Sequence, residues 1–130
     1  SSTLFPYTTL FRSHPLSTLC GMHHGLANAL CLVAGMKFCA QTQPGLYRRV
    51  GIACGLDVMK CAALEADQRT ISFIADFLAQ LGLNTRLRDH GVKPDQLDAL
   101  VAQAVDDPCH KTNVVPVTAG DFLNLYLEVL

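Results

Sequence analysis

The sequence predicts an all-α protein, a helical bundle that is incomplete on its N-terminal side. Three observations carry this. Apolar residues recur at the three-to-four-residue spacing of helices in stretch after stretch. Strand alternation is missing apart from the short run 114–117, which Pro116 interrupts. The 130-residue chain is also greasy for an independent domain, with 50% hydrophobic and 16% charged residues and a mean hydropathy of +0.27. Such an excess is expected when one face packs against something else.

Residues 3–13 read TLFPYTTLFRS and stand outside this pattern. Two Phe, a Tyr and scattered Thr follow neither helical nor strand periodicity, and the string stops abruptly at His14. It resembles the in-frame translation of a widely used short-read sequencing adapter in all eleven residues. A secretion signal would carry its positive charge first, whereas Arg12 lies at the far end. Residues 1–13 are therefore expected to be non-native, and the native sequence to begin near His14 in a chain truncated at that side.

Residues 24–41 predict a helix that is apolar nearly all round (Leu26, Ala27, Leu30, Val33, Ala34, Lys37, Phe38) and so buried on most sides. Gly21 and Gly25 bracket its start, and Thr42-Gln43-Pro44-Gly45 ends it. A shorter helix is expected over 46–54, stopped by Gly55. The next begins near Glu65, with Ile71, Ile74, Ala75, Leu78 and Leu81 as its inward stripe and Gly82 as its close. Residues 86–91 read as a connector. Pro94 suits the first turn of a helix with the stripe Leu97, Leu100, Val101, Ala104 and Val105, which Pro108 cuts. Thr118-Ala119-Gly120-Asp121 has the form of a capping box with Asp in place of Glu, opening a last helix with Phe122, Leu125, Tyr126 and Val129 inward.

A net charge of −1 excludes an electrostatic nucleic-acid or anionic-membrane partner, and Arg48-Arg49 is too small a basic patch to change that. The longest apolar run, 26–36, falls short of a membrane span. The six cysteines form no C-x-x-C pair and sit among Ala, Leu and Val, as free thiols in a core do. That implies a reducing compartment, with the cytoplasm the expected location.

The chemistry-bearing stretch is His14-Pro15-Leu16-Ser17-Thr18 followed by Gly21-Met22-His23-His24-Gly25-Leu26-Ala27-Asn28-Ala29. An imidazole at a helix start, beside a glycine, can present a nitrogen to a metal or substrate. A histidine with satisfied hydrogen bonds is the commoner case. HPL, then HG-x-A-N-A ten residues after its His, resembles the iron-containing (group III) alcohol dehydrogenases. So does the later succession Gly91-Val92, Leu97, Asp107-Pro108-Cys109, Asn113, Thr118 and Asp121.

The resemblance spans residues 14–130. It implies the helical C-terminal domain of the iron-containing alcohol dehydrogenase/dehydroquinate synthase-like fold, here a partial metal-binding domain. It implies hydride transfer between a small alcohol or aldehyde and NAD or NADP, with Fe2+ or Zn2+, in a homo-oligomer. His24 takes the place of the family's last metal-binding histidine. His14 matches a catalytic-site histidine near substrate and nicotinamide, where a proton-relay role is plausible. Cys109 matches a position by the substrate pocket, with a buried thiol near a helix end as the equal alternative. The pattern also breaks. The family's metal is held by an Asp and three His, and the place of the second His, four residues before His14, is taken by Leu10. The Asp and first His would lie upstream. No Gly-rich nucleotide loop is present. The chain is therefore expected to be inactive alone.

Blander readings stay open beside this. His23 reads as a surface or second-layer residue. Cys20, His23 and His24 offer at most three zinc ligands. His110 beside Cys109 is more simply a loop histidine than a general base, and His90 a turn residue. A same-fold reductase with another metal or none, or a non-catalytic helical binding module, are the rival functions.

Overall fold

The structure, a computed structural model, describes residues 13–107 and 113–130. Six α-helices occur among them, and no strand: α1 (Ser13–Cys20), α2 (His24–Thr42), α3 (Arg48–Ala53), α4 (Ala63–Gln80), α5 (Leu97–Asp106) and α6 (Ala119–Val129).

The organising element is α2. Its buried residues Ala27, Leu30, Cys31, Ala34, Gly35, Met36, Cys39 and Ala40 run round more than half the helix, and α1, α4 and α6 all pack on it. Small residues dominate that list, which lets neighbouring backbones come close. α5 completes a ring by touching both α6 and α1, so the packing order α1–α2–α6–α5 closes on itself. Leu16, Leu100, Phe122 and Tyr126 are fully buried within it. α3 and α4 form an arm that joins this ring through the α2–α4 contact.

The arm is held by polar contacts invisible to periodicity. Asp67 on α4 is fully buried, and its carboxylate accepts the backbone N–H of Gly45 (2.6 Å) and of Tyr47 (2.8 Å). It thereby fixes the turn that launches α3. Gly51 in α3 lies directly against Thr70 of α4, where an added Cβ would collide with the threonine Oγ1 and press on Val58 Cγ2 at 3.0 Å. Arg48 donates through Nη1 to the carbonyls of Val58 (2.6 Å) and Met59 (2.9 Å) and through Nη2 to that of Cys61 (2.8 Å). Arg69 adds the carbonyl of Asp57 (2.8 Å). The two guanidiniums tie down the α3–α4 loop.

Helix ends follow the sequence closely. α4 closes with Leu83 N–H on the Leu78 carbonyl (2.8 Å) and Gly82 N–H on that of Ala79 (3.0 Å), the paired bonds of a Schellman motif. The connector contains a 3-10 turn, Leu87–His90, and a second, Pro94–Gln96, runs directly into α5. Asp107 is extended (φ −72°, ψ 127°), as a residue preceding proline must be. At α6 the capping box is complete: Thr118 N–H donates to Asp121 Oδ2 (2.8 Å) and Asp121 N–H to Thr118 Oγ1 (3.2 Å). The far end of α6 is pinned by Arg86, which donates to the Glu128 carbonyl (3.3 Å), and Arg88, which donates to that of Leu130 (2.7 Å).

α1 is the one helix that the apolar periodicity did not predict, and the other differences from expectation are small. The second helix is shorter, Arg48–Ala53, because the preceding turn is claimed by Asp67. Leu81 and Val105 lie at the outer margin of their stripes, 56% and 38% exposed. Both are the last apolar position at the C-terminal end of their helices. Cys20, Cys31, Cys39, Cys54 and Cys61 are free thiols, two of them buried. Among the described residues no helix is long and apolar enough to cross a membrane.

Candidate functional site

The HPL and HG-x-A-N-A stretches become two packed helices joined by residues 21–23. In α1 the sequence sorts itself by burial: Pro15 and Leu16 are fully buried while the His14 side chain is exposed in the first turn. Proline is tolerated there because first-turn N–H groups have no intrahelical acceptor. The Thr18 hydroxyl lies within hydrogen-bonding distance of the His14 carbonyl (3.0 Å) and of Gln103 Oε1 on α5 (3.1 Å). This ties the helix carrying His14 to the ring.

Between the helices the chain reverses at Gly21, whose φ of +65° lies in the left-handed region that other residues enter only at a cost. Met22 is buried, and its N–H donates to the Leu16 carbonyl (3.2 Å), so the link is anchored. His23 is the N-cap of α2: its Nδ1 accepts the N–H of Gly25 (3.2 Å), satisfying one of the orphan donors of the first turn. His24 is then the first residue of α2, with its side chain exposed, while Ala27 one turn on is fully buried. The structure thus presents His14 and His24 from the starts of two contacting helices. Cys109 and His110 lie outside the described residues.

The capping role of His23 went unread in the sequence because imidazole is not a usual N-cap. The signal was its place immediately before the helical pattern. Ser17 Oγ and Asn28 Oδ1, one on each helix of the pair, are enclosed without a hydrogen-bond partner. Burial pushes the Cys20 thiol up from its ordinary value, away from the thiolate that a metal would need. His90, the last residue of the 3-10 turn, has its Nε2 2.8 Å from Thr85 Oγ1. It is a turn residue.

A catalytic divalent cation is usually held by three or more protein ligands. Among the described residues no group of three or more His, Cys, Asp or Glu side chains converges, so Cys20, His23 and His24 do not form a zinc cluster. One exposed imidazole at position 24 is too few, and the described chain does not by itself fit a metal.

Helical architecture and motif together agree with the all-α C-terminal domain that the sequence resemblance implies. The sequence model of the Fe-containing alcohol dehydrogenase family, C-terminal, matches residues 12–130, and the chain belongs to that family. It is 30% identical over 114 residues to lactaldehyde reductase of Escherichia coli (strain K12), covering 88% of this chain and 30% of that protein. To 4-hydroxybutyrate dehydrogenase of Cupriavidus necator it is 32% identical over 123 residues, covering 85% of this chain and 29% of the relative. The fold matches that of an alcohol dehydrogenase from Oenococcus oeni with a TM-score of 0.87 at 19% identity, over 99% of this chain and 33% of that one. A 1,3-propanediol oxidoreductase structure also gives 0.87, at 21% identity, over 96% of this chain and 32% of the other. The chain spans about a third of the length of these proteins.

Proposed function

We propose that this chain is the C-terminal part of a metal-dependent alcohol dehydrogenase or aldehyde reductase, which transfers hydride between a small alcohol and NAD(P), and that it is inactive alone. In this reading residues 1–13 are extraneous and residues 14–130 are the partial metal-binding domain. His24 contributes one ligand to a centre for Fe2+, or Zn2+, whose other ligands belong to sequence upstream. His14 stands close to the substrate, where its imidazole can pass a proton to or from the alcohol oxygen. Cys109 lies at the substrate pocket. The observation that supports this reading is that His14 and His24 each stand exposed at the start of one of two packed helices, with fully buried residues one or two positions along or one turn on. The enclosed, unpartnered Ser17 Oγ and Asn28 Oδ1 on the same two helices support it, since buried polar groups are normally paired.

The rival helical binding module predicts a polar surface all round. Against it, Met59, Phe77, Leu81 and Leu127 are each more than half exposed. The test is to recover the source DNA upstream of codon 14 and to assay the purified 130-residue chain. The expected result is an upstream Asp and His one helical turn apart, a further His four codons before His14, and no NAD(P)H-linked turnover. NAD(P)H-linked turnover by the chain alone would overturn its inactivity. An upstream sequence without those ligands would transfer the assignment to a same-fold reductase that binds metal differently or not at all.

A further inference from the structure

Where α2, α4 and α6 meet the segment that follows α4, they leave a cleft of about 230 Å3. Ala29 and Val33 of α2, Ala75 and Leu78 of α4 and Val129 of α6 line its walls, all of them half-buried. The space exists because alanines stand at 29 and 75, where longer side chains would fill it. Its rim is polar, formed by Asn84, Thr85 and Arg86 with Glu128 of α6. That rim is fixed in advance: Thr85 Oγ1 lies 2.8 Å from His90 Nε2, and Arg86 Nη1 donates to the Glu128 carbonyl (3.3 Å). Every wall belongs to this chain, so the inference does not depend on the enzymatic reading.

The charges at the rim decide which ligand fits. Glu128 has its carboxylate 3.1 Å from Lys37 Nζ and is neutralised there. Arg86 spends one donor on a carbonyl, which leaves its positive charge unmatched. Among the described residues neither Arg86 Nε and Nη2 nor the Asn84 amide has a hydrogen-bond partner. Planar, charged donors of this kind suit a carboxylate. The apolar walls then call for a hydrocarbon tail, since hydroxyls set against Val33, Leu78 and Val129 would go unpaired. The cleft is also smaller than the ~300–1,000 Å3 of sites that take larger ligands. We infer that it binds a short-chain aliphatic monocarboxylate, the tail lying between α2 and α4 and the carboxylate on Arg86 and Asn84. Such a ligand ties residues 84–86 to the helices and stabilises the chain by mass action.

Methyl-resolved NMR titration of the 130-residue chain with sodium hexanoate tests this. The expected result is saturable shifts at Val33, Leu78 and Val129, with a Kd in the millimolar range open to so small a ligand. Hexanol has the same tail and no charge, and should bind at least about fivefold more weakly. Arg86→Gln should weaken hexanoate binding by a similar factor. Ala75→Met fills the cleft and should abolish the shifts with Arg86 still in place, so the matter is decided even if Arg86→Gln loosens α6. No saturable shifts at those methyls, hexanol binding as tightly as hexanoate, or a Kd unmoved by either substitution overturns the inference.

Discussion

Removing the carboxylate of Asp67 should damage this fold about as much as truncating one of its large buried apolar side chains. The group is fully buried, and both oxygens are engaged, one by the Gly45 N–H and the other by the Tyr47 N–H. Hydrogen bonds to a charged acceptor are stronger than neutral ones, about 1.5–3 kcal/mol each. Asp67→Ala strands two backbone donors, one fully buried, and each orphan costs about 1–3 kcal/mol. The expected loss is about 3–5 kcal/mol, a large share of the 5–15 kcal/mol typical of a domain. Asp67→Asn is nearly isosteric but keeps one accepting oxygen and turns an NH2 toward a backbone N–H. About half the loss should follow. Urea unfolding followed by far-UV circular dichroism measures both, provided that the slope with denaturant is unchanged. A variant Asp67→Ala within about 0.5 kcal/mol of the parent would refute the claim that this carboxylate organises the α3–α4 arm.

Gly51→Ala should cost about 1–3 kcal/mol by overpacking, since the new methyl meets Thr70 and Val58, and its thermal midpoint should fall accordingly. Thr118→Ala removes the N-cap of α6 and should cost about 0.5–2 kcal/mol, with Thr118→Ser recovering most of it in the same melt. Burial pushes the Cys31 thiol up to about 12 from an unfolded value of 9.0. The folded chain thus holds a proton that the unfolded chain releases, so the contribution is complete below pH 9 and is lost as pH rises toward 12. Stability should decline by about 1.4 kcal/mol per pH unit in that window, and Cys31→Ala should flatten the slope measured by denaturant titration at stepped pH.

Most of the fold was legible in the sequence because its helices are bounded by strong local signals. The expected span 24–41 differs by one residue from the observed α2, and the Thr118 box, the Gly82 close and Pro94 entering α5 lie where their chemistry places them. What escaped is non-local. Asp67 carries no local sequence signal, because its partners lie 20 and 22 residues earlier on a turn. Arg48 was dismissed as half of a weak basic patch, yet it binds three carbonyls of one loop. The site divides likewise. Motif and spacing singled out His14 and His24, while the capping by His23 and the anchoring of Met22 needed the turn itself.

The closed circuit of α1, α2, α6 and α5 has a kinetic corollary. Two of its four seams join segments more than 70 residues apart in the chain, so no hairpin of neighbouring helices can form it alone. Both extremities must be gathered before the interior is dry, and loop-closure entropy opposes that gathering. The α3–α4 arm, by contrast, is assembled from nearby residues and meets the circuit chiefly along one edge. It can come loose as a unit while the circuit stays shut, which makes it the natural first seam to part under heat or load.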